Sequence, residues 1–175
     1  MDIKADVKFS IELEKKGYAF YRDTAARTKN PLAASTLSSL AEREQVHIER
    51  IMEYYLSLTG EQILRSDWLK EVAVPPTRAQ LLKPILLKLK SLLSKKIETT
   101  AEINEAYEIA EGLERDSFTL YDQISKKSAD PTAQKFYASL AQEEREHYAI
   151  LDETLQYLNS PGDWFRKEER WIVEG

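Results

Sequence analysis

Both histidines of the chain follow a glutamate by three residues, in the pairs Glu44–His47 and Glu144–His147. Positions three residues apart lie on one face of an α-helix, so each pair presents a carboxylate and an imidazole side by side. Iron, manganese and zinc accept both groups as ligands. The 175 residues contain no cysteine, which excludes disulfides, thiolate zinc sites, iron–sulfur clusters and a cysteine nucleophile among them. A metal site here must therefore use carboxylates and at most two imidazoles.

The two Glu-x-x-His pairs belong to an internal repeat with a period of 100 residues. An ungapped overlay of residues 9–50 on residues 109–150 gives ten identical positions in 42. Composition alone would give roughly two to four. The identities include Pro31/Pro131 and the two histidines. We infer that one structural unit has been duplicated.

The elements that carry the repeat are predicted to be helices. Glycine (5) and proline (6) are few, and apolar residues recur at spacings of three and four without the alternation of strands. Asn30–Pro31 and Asp130–Pro131 each place an N-cap residue before a proline at the first helical position, which predicts the turn of a helical hairpin. The predicted helices cover residues 3–29, 31–58, 78–95, 100–128 and 131–158.

Charge and hydropathy exclude several classes of partner. A net charge of −5 argues against binding to nucleic-acid phosphates. Residues 1–10 lack the apolar core of a signal peptide, and no stretch reaches the roughly 18 apolar residues of a membrane-spanning helix. We expect a cytoplasmic protein with neither nucleic acid nor membrane as partner. One bundle domain is expected over residues 1–158, with a crossover at about 59–99, followed by a tail over 159–175.

A carboxylate interrupts the predicted apolar face of each long helix. Glu14 lies 16 residues before Asn30, and Glu44 lies 14 residues after it. At about 1.5 Å per residue these positions are about 24 and 21 Å from the turn, so the two are nearly level. Glu114 and Glu144 repeat both offsets about the second turn. In a four-helix bundle, four carboxylates and two imidazoles would therefore meet at one depth.

Such a layer of charge requires compensation. Unpaired carboxylates in a core cost several kcal/mol each or take up protons, whereas two divalent cations balance four carboxylates. One Glu from each of two helices, with Glu-x-x-His from each of the other two, is the arrangement of di-iron and di-manganese carboxylate bundles. Oxygen-rich ligands with one imidazole per metal favour iron, with manganese as the alternative. The predicted ligands of two such ions are Glu14, Glu44, His47, Glu114, Glu144 and His147.

Two further groups of residues have both a structural and a functional interpretation, and a third is interpreted as surface. Tyr21 and Tyr121 lie two turns beyond Glu14 and Glu114, where they either fill the core or also donate a hydrogen bond to a ligand carboxylate. Glu111 is either a surface residue or a seventh ligand. Other glutamates lie off the apolar faces and are interpreted as solvated surface; they are Glu42, Glu49, Glu53, Glu143 and Glu146.

Four segments of the chain resemble the rubrerythrin family of ferritin-like proteins. They are LEKKGYAFY (13–21), LAEREQVH (40–47), LERDSFTLY (113–121) and LAQEEREH (140–147). The resemblance implies an all-α, antiparallel four-helix bundle of two duplicated hairpins with a long crossover, holding a non-haem di-iron site. It also implies that Glu44 and Glu144 bridge the metals and that each histidine binds one metal. Glu14 and Glu114 would be terminal ligands.

The resemblance also implies an asymmetric site. In that family a glutamate one turn before the third-helix ligand exchanges with the second-helix histidine as the iron changes oxidation state. Here the pair would be Glu111 and His47, while Ile11 occupies the equivalent position of the first repeat. Typical members also carry a rubredoxin domain with four cysteines. Because this chain has none, we expect an external electron-donor protein such as a rubredoxin.

Three functions are consistent with these observations. The first is a di-iron oxidoreductase that reduces hydrogen peroxide to water, with dioxygen as the alternative oxidant. The second is a ferroxidase that handles iron, and the third is a helical interaction module without metal. The apolar tail residues Trp164, Phe165 and Trp171 are expected to cover the bundle or a neighbouring subunit. They favour a homodimer, and an exchange of hairpins between two chains is compatible with the sequence.

Overall fold

Four long helices make up most of the structure. The computed structural model describes residues 3–59 and 101–164. Its helices are α1 (Ile3–Arg27), α2 (Pro31–Thr59), α3 (Ala101–Lys127) and α4 (Pro131–Asn159). Every boundary lies within two residues of its predicted position. A further helical turn over residues 161–164 follows α4.

Both hairpin turns carry the predicted N-caps. Asn30 Oδ1 accepts hydrogen bonds of 3.0 Å from the backbone N–H groups of Leu32 and Ala33. The Asp130 carboxylate accepts the two equivalent bonds at the start of α4, at 3.0 and 3.3 Å. These caps satisfy N–H groups that have no partner within the helix. The turns therefore fix where α2 and α4 begin, and with that the height of every residue along them.

The two hairpins face each other across the bundle. α1 packs closely on α2 and α3 on α4, while α1 lies beside α3 and α2 beside α4. Two reciprocal contacts show that α1 and α3 are antiparallel, because Tyr21 reaches Glu114 and Tyr121 reaches Glu14. The predicted all-α bundle of two hairpins is confirmed.

Two apolar clusters fill the bundle at different heights. The first includes Leu37 of α2 and Tyr107 of α3, and the second includes Ile51 of α2 and Ile124 of α3. On each helix, the residues of one cluster precede those of the other along the chain. Between these two layers lie the buried glutamates and histidines. The charged layer is therefore closed off from solvent by apolar packing on both sides.

The buried face of α1 differs from the predicted one. Spacings of three and four residues from Glu14 and Tyr21 predict that Ile11, Tyr18 and Ala25 lie on this face, but they are only partly buried. Small residues occupy buried positions of this face instead. Gly17 lies between Glu14 and Tyr21, and Ser10 and Thr24 lie seven residues before and after it. Small side chains let the helix approach its neighbours closely, so hydrophobicity alone did not mark this seam.

Several predictions lie outside the described residues. They concern the crossover beyond residue 59, the short helix at 78–95 within it, and the tail from Phe165 onward. Trp164 is described, and its ring packs edge-on against Tyr157 with centroids 5.4 Å apart. No helix within 3–59 or 101–164 is long and apolar enough to cross a membrane.

Candidate metal centre

Six ionisable side chains meet in the layer between the two apolar clusters. Each is at most 4 % exposed to solvent. They are Glu14, Glu44, His47, Glu114, Glu144 and His147. The structure therefore brings together all six residues that the repeat predicts as metal ligands.

The carboxylates of Glu44 and Glu144 lie between the two histidines. Glu144 places Oε1 3.2 Å from His47 Nδ1 and Oε2 3.2 Å from His147 Nδ1. Glu44 places Oε2 3.8 Å from His47 Nδ1 and Oε1 3.4 Å from His147 Nδ1. Each of these carboxylates thus offers one oxygen to each half of the site, which is the geometry a bridging ligand needs.

Glu14 and Glu114 each approach a single histidine. Glu14 Oε2 lies 3.2 Å from His47 Nδ1, and Glu114 Oε2 lies 3.5 Å from His147 Nδ1. The two imidazole rings are stacked, with centroids 5.2 Å apart and an interplanar angle of 17°. The six side chains therefore form two halves that reproduce the sequence repeat.

Two buried tyrosines hold these outer carboxylates. The hydroxyl of Tyr21 donates a short hydrogen bond to Glu114 Oε1, and the hydroxyl of Tyr121 donates one to Glu14 Oε1. Each bond crosses from one hairpin to the other. Both tyrosines are fully buried, so they fill the core and also orient a carboxylate, as the two compatible interpretations of the sequence allowed.

The donor set fits divalent metal ions. One ligand atom from each of Glu44, His47, Glu144 and His147 lies within 4.8 Å of the other three. Both oxygens of Glu144 and Nδ1 of His147 are buried without a hydrogen-bond partner among the described residues. Buried polar atoms that converge without bonding to one another are costly unless a cation binds them. Carboxylate oxygens with one imidazole per half suit iron or manganese.

Electrostatics in the metal-free site favour proton uptake. Burial raises the pKa of Glu44 well above its usual range, and the charges of Glu14 and Glu144 raise it further. Burial and Glu144 also raise the pKa of Glu114 to about 8. Without metal, these carboxyl groups retain protons at neutral pH. A bound cation would displace them.

His47 and Glu144 of the same layer favour their charged forms when no metal is bound. Burial lowers the pKa of His47, but the carboxylates of Glu144 and Glu14 outweigh this and hold the pKa well above its usual range. Burial acts to raise the pKa of Glu144, but the two histidines outweigh it and hold this pKa well below its usual range. Protons thus supply positive charge that two divalent cations would supply in the loaded protein.

Glu111 lies one turn from Glu114, and its side chain is partly buried. Its Oε1 is shielded from solvent and has no hydrogen-bond partner in the described ranges. Burial raises the pKa of its carboxyl group, and Asp152 raises it further. The four-residue cluster of metal-ligand atoms does not include it. Its role as a seventh ligand stays a prediction.

Glu143 is not the solvated surface residue that the sequence suggested. Its side chain is only 15 % exposed, and it accepts a hydrogen bond of 3.1 Å from His47 Nε2. Although burial acts to raise it, the pKa of Glu143 is held at about 2 by His47 and Arg50. The position of Glu143 relative to the hairpin turn gave no sign of this role, because the role depends on which side of α4 faces α2.

Comparison with known proteins agrees with the fold and the site. A sequence model of the rubrerythrin family matches residues 7–155, which include most of all four helices. Among curated proteins and among solved structures, nothing matches the chain. The buried cluster of glutamates and histidines fits a di-iron site. The match covers well over half of the 175 residues, and the chain therefore belongs to the rubrerythrin family.

Proposed function

We propose that the protein is a non-haem di-iron oxidoreductase that reduces hydrogen peroxide to water. The observation that carries the proposal is the pair of carboxylates, Glu44 and Glu144, that each face both histidines in a buried layer. Such shared oxygens would hold two cations close together, and two ferrous ions there could supply the two electrons that the reduction of peroxide needs.

The contacts suggest a role for each ligand. Glu44 and Glu144 would bridge the two metals, since each places one oxygen near each histidine. Glu14 would join His47 on one metal. The second metal would be held by the equivalent pair, Glu114 and His147, and Glu111 is proposed as the additional ligand.

When bound, two ferrous ions supply the two electrons that convert hydrogen peroxide and two protons into two water molecules. The chain's own contribution is to hold the ligands in place before the oxidant arrives. Tyr21 and Tyr121 fix the outer carboxylates by hydrogen bonds from the opposite hairpin. The apolar layers above and below exclude bulk water from the site, which limits side reactions.

A small cavity beside the site supports a small neutral oxidant. It has a volume of about 10 Å³, close to that of one water molecule. Leu13 and Leu113 line it, together with Gly17, and it reaches Glu44 and Glu114. Hydrogen peroxide is little larger than water and carries no charge, so it can occupy such a space without the desolvation cost of an ion.

Electrons for a second turnover must come from a donor outside these residues. The 175 residues hold no cysteine that could ligate an electron-transfer iron. We therefore propose an external electron-donor protein, for which a rubredoxin is one candidate.

The order of reactivity tests this proposal. Protein loaded anaerobically with two ferrous ions per chain is mixed with hydrogen peroxide or with dioxygen in a stopped-flow spectrometer. We expect one peroxide to be consumed per two ferrous ions oxidised, at a rate about tenfold or more above that with dioxygen. The rate is read from the ferric absorbance and the stoichiometry from residual peroxide.

The same preparation separates the alternatives. A reaction with peroxide that is no faster than with dioxygen would contradict the proposal. Continued oxidation of many ferrous ions per chain would favour a ferroxidase. If protein purified without chelator held no metal and took up no ferrous ion, the metal-free interaction module would be the better description. Iron-loaded Glu42→Gln, which alters an exposed carboxylate of α2, should react like the original protein.

A further inference from the structure

The Nε2 side of His47 carries a network that the metal ligands alone do not require. Glu143 Oε2 accepts the hydrogen bond from His47 Nε2 at 3.1 Å. Arg50 Nη1 donates to both oxygens of Glu143, at 2.7 and 2.8 Å. The hydroxyl of Ser139 donates a third bond to Glu143 Oε1 at 3.2 Å. Two side chains, Arg50 and Ser139, therefore hold the carboxylate while it holds the imidazole.

This network has no counterpart in the other half of the repeat. The residue equivalent to Glu143 is Arg43, and the residue equivalent to Arg50 is Ile150. A cation thus replaces the acceptor, and an apolar side chain replaces its partner. Within 3–59 and 101–164, the ion-pair contacts of His147 run through Nδ1 only. The six paired ligands follow the repeat, whereas the residues that contact the Nε2 side of His47 do not.

From this asymmetry we propose that Glu143 is a positioning residue that makes the two metal positions unequal, so that the ion bound by His47 is held more tightly. The inference rests on the proposed two-metal function. It assigns to Glu143 and Arg50 a task that the ligand set leaves open, namely to decide which of the two positions fills first.

Histidine chemistry gives the physical reason. An imidazole that donates its Nε2–H to a carboxylate has its tautomer fixed, with Nδ1 as the lone-pair nitrogen that binds metal. The anionic acceptor also increases the basicity of Nδ1. Arg50 Nη1 lies between both oxygens of Glu143, and this charge-assisted contact limits the rotation of Glu143 and so the rotation of the imidazole. Among the described residues, His147 has no carboxylate on its Nε2 side to orient it in the same way, so fixing its ring costs more of the free energy of metal binding.

Metal titration tests the proposal without any turnover. Full-length protein stripped of metal is titrated with cobalt(II), and binding is followed by visible absorbance and calorimetry. The original protein should bind two ions in two steps. In Glu143→Gln, the affinity of the tighter step should fall by about 10- to 100-fold while the weaker step changes little, so that the two steps converge.

Hydrogen exchange identifies the histidine concerned. In the cobalt-loaded protein, imidazole N–H protons give proton resonances shifted far from the normal range. The Nε2–H of His47 should exchange with solvent slowly, because it is bonded to the partly buried carboxylate of Glu143, and Glu143→Gln should accelerate that exchange. A residue that merely supports the fold would not change this signal in a protein whose circular dichroism is unaltered.

Two controls separate positioning from overall charge. Glu146→Gln removes an equal charge from α4 at a carboxylate whose recorded bond is with Gln142, and it should not bring the two steps together. The single variant Arg43→Glu offers a carboxylate at the equivalent position of the second half and leaves the buried Ile150 in place. It should strengthen the weaker step and make the two steps more alike.

The outcomes also distinguish this inference from the function on which it rests. Failure of the original protein to bind two ions would overturn the di-iron proposal itself. Binding of two ions with both steps weakened equally by Glu143→Gln, or with neither changed, would overturn only the positioning role.

Discussion

Replacing Glu44 by glutamine is expected to weaken the binding of both metal ions by about 100-fold or more, a larger effect than loss of an outer hydrogen-bond partner. The reason is that its two oxygens face opposite halves of the site, 3.8 Å from His47 Nδ1 and 3.4 Å from His147 Nδ1. A neutral amide offers a single weakly coordinating oxygen in their place. Both calorimetric binding steps should therefore be affected.

The same substitution should stabilise the metal-free protein. Burial and the neighbouring carboxylates raise the pKa of Glu44 well above its usual range, so folding at pH 7 forces this group to take up a proton. Glutamine has the shape of the protonated acid without that cost. We expect the free energy of unfolding of the metal-free form to rise by about 1–3 kcal/mol.

The two opposite signs make this variant informative. Chemical unfolding of the metal-free form measures the expected gain in stability, and cobalt(II) titration measures the expected loss of metal affinity. Glu42→Gln serves as the matched control, because it removes an exposed carboxylate two residues away on the same helix and should change neither quantity appreciably. Loss of only one binding step would show that Glu44 is not shared by the two metals.

Metal removal is expected to lower the thermal unfolding midpoint by about 10–20 °C at neutral pH. An ion at 100 times its dissociation constant stabilises a fold by about 2.7 kcal/mol, and for a chain of this size each kcal/mol corresponds to about 2–4 °C. Two ions acting together give the stated range. Calorimetry before and after chelation measures the shift, and restoring the metal should reverse it.

The metal-free and metal-loaded forms should also respond oppositely to pH. In the metal-free fold, the pKa values of Glu44, Glu114, His47 and His147 are all raised, that of Glu114 to about 8. The folded state therefore binds more protons than the unfolded state, and stability falls as pH rises between about 5 and 8. The pKa values of Glu143 and Glu144 are lowered in the fold, so these two groups also stabilise it. Their contribution is already complete at about pH 5 and does not change between about pH 5 and 8.

Bound metal reverses the sign. Metal binding requires deprotonated ligands, so its stabilisation increases with pH over the same interval. Urea unfolding at pH 5.5 and pH 8, with and without metal, should show the metal-free protein losing about 2 kcal/mol or more while the loaded protein gains. Parallel pH profiles for the two forms would mean that the buried layer does not bind metal.

Much of the site could be predicted because helix geometry is regular. The N-caps at Asn30 and Asp130 set the start of each hairpin's second helix, and a constant rise per residue converts sequence offsets into heights. Once the level of Glu44 was known, that of Glu144 followed from the repeat. The repeat also identified both histidines as a pair, which a single motif could not.

The parts that could not be predicted depend on lateral packing. Gly17 lies against Glu44, with room for a Cβ at 3.5 Å from the carboxylate carbon, yet nothing in the hydrophobic pattern marks it as part of the seam. Glu143 is a charged residue off the apolar face of its helix, which is typical of a surface position. It becomes partly buried because α4 faces Arg50 of α2. Offsets along a helix carry no information about such rotations.

Anomalous diffraction can test directly whether the buried layer holds two metal ions between shared carboxylates. Crystals of the full chain, grown anaerobically with ferrous ion, can be measured on both sides of the iron absorption edge. We expect two anomalous peaks about 3.5–4 Å apart, between Glu44 and Glu144, with His47 on one ion and His147 on the other. A single peak, or none in this layer, would contradict this expectation.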